Sequence, residues 1–304
     1  MNTVNNSKAG PAEGKAGSRL VDVIVSMRPK QWIKNVFIFA GLIFSKSFFS
    51  MEAVLRTIYA FALFSAVSGT VYVINDVIDR EKDILHPVKS KRPIASGRLK
   101  PGEALLPVLF LLVLAFLLSC LLDVKFFALL AGYFLLVLAY SLVLKNHVII
   151  DVMAIAAGFV LRTLGGTVII KVSISPWLIM CTTFLSLFLA LNKRKSELDL
   201  LLDNASNHRE NLGRYTPGLI DQMLPVVTST TIMSYSLYTF SSGKSSYMML
   251  TIPFVIYGIF RYQYIVTAKS KGGSPETDFL EDKPLLLNIV LWGISCLIIV
   301  SCFY

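Results

Sequence analysis

Apolar runs recur from Val36 to Phe303, most of them long enough to cross a bilayer, and short polar stretches separate them. No other feature restricts the fold as tightly. In hydrocarbon every backbone N–H and C=O must find a partner inside the structure, so a spanning segment is a helix or a strand of a closed barrel. A run of roughly 18 or more apolar residues crosses as a helix. Barrel strands instead alternate apolar and polar residues in segments of about ten, and no such alternation is seen. Charged residues are 16% of the chain, against about 25% for an ordinary soluble domain. The expected fold class is an all-α, polytopic membrane protein.

Nine spans are expected, at Lys34–Phe49, Val54–Ile74, Ala104–Leu122, Phe126–Leu144, Ile149–Ile170, Pro176–Leu191, Leu219–Phe240, Tyr247–Ile265 and Leu285–Cys302. The first is short, and Leu20 to Met27 reads as an interfacial helix before it. Residues 1–18 read as a disordered polar tail, and 19–304 as a single transmembrane catalytic domain. The first 20 residues have no early apolar core, so no cleavable signal peptide is expected.

Lys and Arg set the orientation. With the N-terminus in the cytoplasm, only Lys46, Arg56, Lys125, Lys171 and Lys244 lie outside, and Arg162 lies within a span; the rest of the 29 lie inside. The net charge of +10 is therefore mostly a topology signal, suited to phosphates and anionic headgroups. No nucleic-acid partner is expected. The expected location is the cytoplasmic (inner) membrane, with the polar loops on the cytoplasmic side.

Cys120, Cys181, Cys296 and Cys302 all sit in apolar runs and form no CxxC pair, so they read as small buried hydrophobes. His86, His147 and His208 are far apart, and there is no HExxH.

One polar stretch interrupts the apolar pattern with charge of both signs: NDVIDREKDILHPVKSKRPIASG, from Asn75 to Gly97. On a helix continuing from the second span, Asn75, Asp76, Asp79 and Asp83 fall within an arc of about 100°. Carboxylates so close repel one another unless a cation lies between them. Oxygen ligands without Cys or His suit Mg2+, with Mn2+ as an alternative, and Mg2+ commonly bridges carboxylates to substrate phosphates. Lys89, Lys91, Arg92 and Arg98 follow at once. A metal-type acidic cluster beside a cationic loop is what a diphosphate needs.

These residues resemble the UbiA superfamily of intramembrane prenyltransferases, whose NDxxDxxxD element is matched by Asn75, Asp76, Asp79 and Asp83. The family's basic RP…SG element is matched by KRPIASG. The resemblance implies a nine-helix bundle around a central cavity open to the cytoplasmic side. A closer resemblance is to the decaprenyl-phosphate phosphoribosyltransferase branch. It is carried by RPKQWIKN (28–35), YSLVLKNHVIIDV (140–152), LRTLGG (161–166), NKRKSEL (192–198), YTPGLIDQM (215–223) and GGSPETDFLEDKPLL (272–286). That branch implies an Mg2+-dependent transfer of the 5-phosphoribosyl group from phosphoribosyl pyrophosphate (PRPP) to a membrane polyprenyl phosphate. Pyrophosphate is released, and the product feeds arabinose donors for cell-wall assembly. It leaves room for a homo-oligomer.

The resemblance assigns catalysis to Asp76, Asp79 and Asp83, with Asn75 as a further metal ligand. Substrate and phosphate contacts are expected from Arg28, Lys30, Lys34, Lys89, Lys91, Arg92, Tyr140, Lys145, Arg162, Lys193, Arg194 and Glu197. Typical members carry a second Asp motif where this chain has Lys193, Arg194, Lys195, Ser196 and Glu197. Lys193 and Glu197 are one helical turn apart and can share a face, offering a phosphate direct cations instead of a second metal. Asp199 and Asp203 also form a DxxxD pair, which keeps open the alternative: transfer of a prenyl group from a prenyl diphosphate to an aromatic acceptor. Gly165 and Gly166 suit close helix packing. The stretch AKSKGGSPETDFLEDKPLL (268–286) reads as a mobile cover or a hydrophilic linker.

Overall fold

The computed structural model of the chain describes residues 16–203, 215–241, 246–268 and 275–303, all helix or short connection with no strand among them. Twelve α-helices follow one another: α1 Ala16–Ser26, α2 Phe39–Phe44, α3 Met51–Ile78, α4 Arg80–Ile84, α5 Pro101–Leu122 and α6 Val124–Leu142. Then come α7 Ile150–Ile169, α8 Pro176–Asp203, α9 Pro217–Ser241, α10 Ile252–Ala268, α11 Pro275–Glu281 and α12 Lys283–Cys302. Residues 1–15 of the expected tail lie outside the described residues; from Ala16 the chain is helical.

Polar caps mark where apolar runs begin. The Ser50 hydroxyl accepts from the Ala53 N–H at the start of α3. Asp123 accepts from the Lys125 and Phe126 N–H groups at the start of α6, at 2.7 and 3.1 Å. Asp282 does the same for Leu285 before α12, where a proline follows in the first turn. Each cap satisfies N–H groups that a helix start leaves open. Within the spans, Thr57, Thr163, Thr182 and Ser186 return their hydroxyl hydrogens to the carbonyl one turn back, which satisfies them without water.

Among the described residues, seven segments are long and apolar enough to cross a membrane: Met51–Ile78, Pro101–Leu122, Val124–Leu142, Ile150–Ile169, Pro176–Asp199, Ser246–Ala268 and Lys283–Cys302. Two of the nine expected spans differ from these. The expected span Lys34–Phe49 is not one helix: a 3-10 segment Pro29–Ile38 runs into the short α2, and a 3-10 turn Ser47–Phe49 follows. The span expected at Leu219–Phe240 is present as α9, and its Thr228–Thr231 stretch dilutes the apolar character.

α3 and α7 form the centre, with 61% and 56% of their apolar windows buried, against 22% and 17% for α5 and α6. Phe64, Phe126, Tyr133 and Ile169 close one core between them. α8, α9 and α10 build the other side around Phe188, Ile259 and Tyr262. The outer face of α5 shows Leu106, Phe110, Leu117 and Leu121 to the surroundings, the pattern of a lipid-facing helix. α1 turns Leu20, Val21, Ile24 and Val25 outward while Asp22 and Ser26 are buried, as is Met27 just after it. This polarity is the reverse of a water-facing helix.

Glycine lets the 3-10 segment lie against α7. A Cβ on Gly166 would stand 1.9 Å from the Ile38 carbonyl oxygen. Gly166→Ala is therefore expected to destabilise by about 1–3 kcal/mol or more, as overpacking does. Gly132→Ala in α6, where a Cβ meets nothing within 4 Å, is expected to be neutral or stabilising by up to about 1 kcal/mol. Thermal unfolding of the two variants in one detergent checks the contrast.

Candidate active site

Charged side chains gather at one end of the bundle, where α3 ends and the basic stretch begins. The acidic face does not lie on one unbroken helix: α3 stops at Ile78, Asp79 takes φ −85° and ψ 6°, and α4 starts at Arg80. Hydrogen bonds span the break, from the Asp79 N–H to Asn75 at 2.9 Å and from the Asp83 N–H to Asp79 at 2.8 Å. The one-turn spacing of the acids therefore survives.

Asp76 and Asp83 are buried, 2% and 3% exposed. Both converge on one nitrogen. Nη1 of Arg92 donates to Asp76 Oδ1 at 3.1 Å and to Asp83 Oδ2 at 2.5 Å. Arg28 donates to the same Asp76 oxygen, and its guanidinium lies 4.9 Å from the centre of the Tyr72 ring. Lys89 Nζ is 4.0 Å from Asp83 Oδ1. Asp79 turns aside to Lys145 Nζ at 3.7 Å. Among the described residues no three acidic, His or Cys side chains are gathered into a metal cage; cations separate these three.

Local structure explains the cations' positions. Arg28 links α1 to the 3-10 segment with φ 54°, a left-handed backbone costing about 1–2 kcal/mol for a residue with a Cβ. The basic loop is fixed from inside by Ile94 and Leu99, packed with Val73, Ala104 and Val108. His86 Nδ1 accepts from the Val88 and Lys89 N–H groups and shapes its first turn. Gly97, at φ 78°, closes its last one. Lys30 and Lys91 are exposed, Lys34 and Asn75 half-buried.

A second polar cluster lies on α8, which runs past Leu191 so that Lys193 to Glu197 are helical. Arg194 is 2% exposed. Its Nε donates to Asp151 Oδ2 at 2.8 Å and its Nη2 to the Tyr140 hydroxyl at 3.1 Å, while Nη1 meets Glu197 Oε2. The other Asp151 oxygen accepts from the Tyr215 hydroxyl at 2.6 Å, and that hydroxyl accepts from the Ile149 N–H. Burial and then the Asp151 carboxylate push the Tyr215 pKa up, so this hydroxyl keeps its proton and donates. Lys193 is half-buried. Lys195 faces away, pairing with Asp221 at 2.7 Å beside a hollow of about 320 Å³ between α8, α9 and α10. Asp199 is exposed, and the Asp203 side chain lies outside the described residues.

Arg162 is set apart from both clusters. It is 7% exposed and donates to Asn35 at 2.7 Å, to the Gly158 carbonyl at 3.0 Å and to the Tyr133 hydroxyl at 2.6 Å. Asn35 in turn donates to Ser65. These contacts tie α7 to α6, α3 and the 3-10 segment.

Sequence reasoning missed Asp151 as the partner of Arg194, and Tyr215 and His86 as organising residues. A lone carboxylate at the start of an apolar span was the available signal for Asp151; a buried charge must be paired.

The UbiA prenyltransferase family profile matches residues 35–280. The chain belongs to the UbiA prenyltransferase family. Among its UbiA relatives, the decaprenyl-phosphate phosphoribosyltransferase of Corynebacterium glutamicum is 31% identical, over 97% of this chain and 90% of that one. The protein of the same name from Mycolicibacterium smegmatis is 27% identical, over 94% and 95%. The fold resembles a UbiA homolog from Archaeoglobus fulgidus bound to DMAPP and Mg2+, with a TM-score of 0.69, 18% identity, and coverage of 93% of this chain and 100% of that one.

The donor set suits the divalent ion that the family implies. It is all oxygen, and two buried carboxylates already point at a single positive charge, Arg92 Nη1. A guanidinium nitrogen there marks a position that a cation can take between Asp76 and Asp83.

Proposed function

We propose that this protein transfers the 5-phosphoribosyl group of PRPP to a polyprenyl phosphate of the decaprenyl type, releasing pyrophosphate. The observation that carries this reading is the convergence of Asp76 and Asp83 on one cation position, ringed by Arg28, Lys89 and Arg92. That combination grips a diphosphate. The names of relatives similar along most of the chain select phosphoribosyl as the group moved.

Asp76 and Asp83, with Asn75 and Asp79 on adjoining turns, would hold Mg2+ or Mn2+. When bound, the ion supplies neutralisation of the charge that gathers on the departing pyrophosphate. Arg28, Lys89, Lys91 and Arg92 bind the diphosphate oxygens, and Lys145 orients Asp79. Lys30 and Lys34 serve the lipid phosphate, and Lys193 the 5-phosphate. The bond between ribose C1 and the pyrophosphate oxygen breaks, its electron pair leaving with the pyrophosphate. An oxygen of the lipid phosphate forms the new bond to C1. That oxygen is anionic at neutral pH, so the residues need to position it rather than deprotonate it. The apolar helices hold the isoprenoid tail. In this reading the polar end faces the cytoplasm, α9 and the broken segment 34–49 complete nine crossings around a cavity, and the product enters arabinose-donor assembly for the cell wall.

Purified protein in detergent, given labelled PRPP, polyprenyl phosphate and Mg2+, is expected to form labelled lipid. A prenyl diphosphate with 4-hydroxybenzoate is expected to give no product. The reverse outcome would establish aromatic prenyl transfer instead.

A further inference from the structure

We infer that Glu197 reads the ribose hydroxyls of the sugar donor and so sets the enzyme's preference for a ribosyl over a deoxyribosyl group. The inference rests on the PRPP reading above and deepens it.

The argument starts from what surrounds this carboxylate. Glu197 lies one turn beyond Arg194 on α8, and Arg194 Nη1 donates to its Oε2. Arg194 itself cannot swing away: Asp151 holds its Nε, Tyr140 meets its Nη2, and Tyr215 fixes Asp151 from the far side. The Glu197 carboxylate is thus oriented by a side chain that is 3% exposed, while its own side chain is 25% exposed. Among the described residues, its second oxygen, Oε1, receives no donor. A fixed acceptor therefore faces outward from a buried base.

Chemistry narrows what can meet it. An ionised carboxylate only accepts hydrogen bonds. PRPP offers anionic phosphate oxygens, which Glu197 repels, and the 2- and 3-hydroxyls, which donate. A second metal ion is disfavoured because a single carboxylate faces it here, and the Arg194 on Oε2 is locked in place by Asp151 and Tyr140. The placement agrees: Tyr140, which touches Arg194, and Lys145, which pairs with Asp79, lie five residues apart on the end of α6 and the turn after it. This short stretch joins the Glu197 cluster to the side where the donor's diphosphate would sit. A sugar whose C1 carries that diphosphate has its 2- and 3-hydroxyls close beside it.

A hydrogen bond to a charged group contributes about 1.5–3 kcal/mol, which corresponds to a preference of roughly 10- to 100-fold. The test compares kcat/KM for PRPP with that for its 2-deoxy and 3-deoxy analogues, in wild type, Glu197→Ala and Glu197→Gln, with lipid acceptor saturating. Wild type is expected to favour PRPP over at least one analogue by about 10- to 100-fold. Glu197→Ala is expected to bring that ratio to within about 3-fold, through loss of PRPP turnover while the analogue's is retained. A merely structural role would lower both donors together and leave the ratio unchanged, and an unchanged ratio overturns the inference. Glu197→Gln keeps the contact to Arg194 and decides the matter if the alanine variant does not fold; its ratio is expected to fall too. Wild type that turns over no PRPP at all would overturn the functional reading itself, an outcome distinct from PRPP turnover with an indifferent Glu197.

Discussion

Asp83→Asn is expected to lower turnover by at least about a hundred-fold while leaving the protein folded. The substitution keeps the size of the side chain and an oxygen for Arg92, and it removes the negative charge that a divalent ion needs. Removing one preorganised electrostatic contact at a reacting centre typically costs about 10²–10³ in rate. The fold should tolerate the change. Arg92 keeps Asp76 as a partner at 3.1 Å and its side chain is 26% exposed, and the amide in place of Asp83 is neutral, so no buried charge is left unpaired. Asp79→Asn should behave alike, since its Lys145 contact is long, at 3.7 Å, and partly exposed. Turnover and thermal unfolding measured on the same preparations check both. Full activity in either variant would remove the acidic face from the chemistry.

Asp151→Ala is expected to have the largest effect on stability, about 3–5 kcal/mol, the usual cost of breaking a buried ion pair from one side. Asp151 is 0% exposed and Arg194 is 2% exposed, so water cannot replace the lost partner. Tyr215 would also lose its acceptor. Tyr215→Phe should cost less, about 1–3 kcal/mol, because it leaves one Asp151 oxygen without its donor while the ion pair stands. Unfolding in a fixed detergent measures the two. A loss below about 1 kcal/mol for Asp151→Ala would mean that Glu197 and Tyr140 alone suffice to hold Arg194. Since Arg194 orients Glu197, a folded Asp151→Asn variant should also blur the choice between PRPP and its deoxy analogues.

The sequence was legible wherever physics acts over a few residues. Uninterrupted apolar runs mark α5, α6, α7 and α12 within a few residues of their observed ends. The one-turn spacing of Asn75, Asp79 and Asp83 also survives in the structure. Reasoning by span missed the region 34–49, where residues apolar enough for a membrane form 3-10 and broken helix. Its geometry is set by Gly166 and Arg162 on α7, more than a hundred residues away. It missed the break at Asp79 as well, where the acids turn toward cations of the following loop. The α8 cluster shows the limit most clearly. Lys193 to Glu197 announce a charged turn, and the residue that organises it, Asp151, lies 43 positions earlier on another helix. A pattern along one helix shows which face is polar; it does not show which of its charges are used up inside the protein.

The central claim is that Asp76 and Asp83 jointly hold a divalent ion against the donor's diphosphate. Electron paramagnetic resonance of Mn2+ added with PRPP, read for 31P coupling, tests it without requiring turnover. One tightly bound Mn2+ per chain with resolved 31P coupling is expected for wild type, with both signals lost in Asp83→Asn. Mn2+ that does not bind in the presence of PRPP, or a 31P coupling unchanged in Asp83→Asn, would contradict the account.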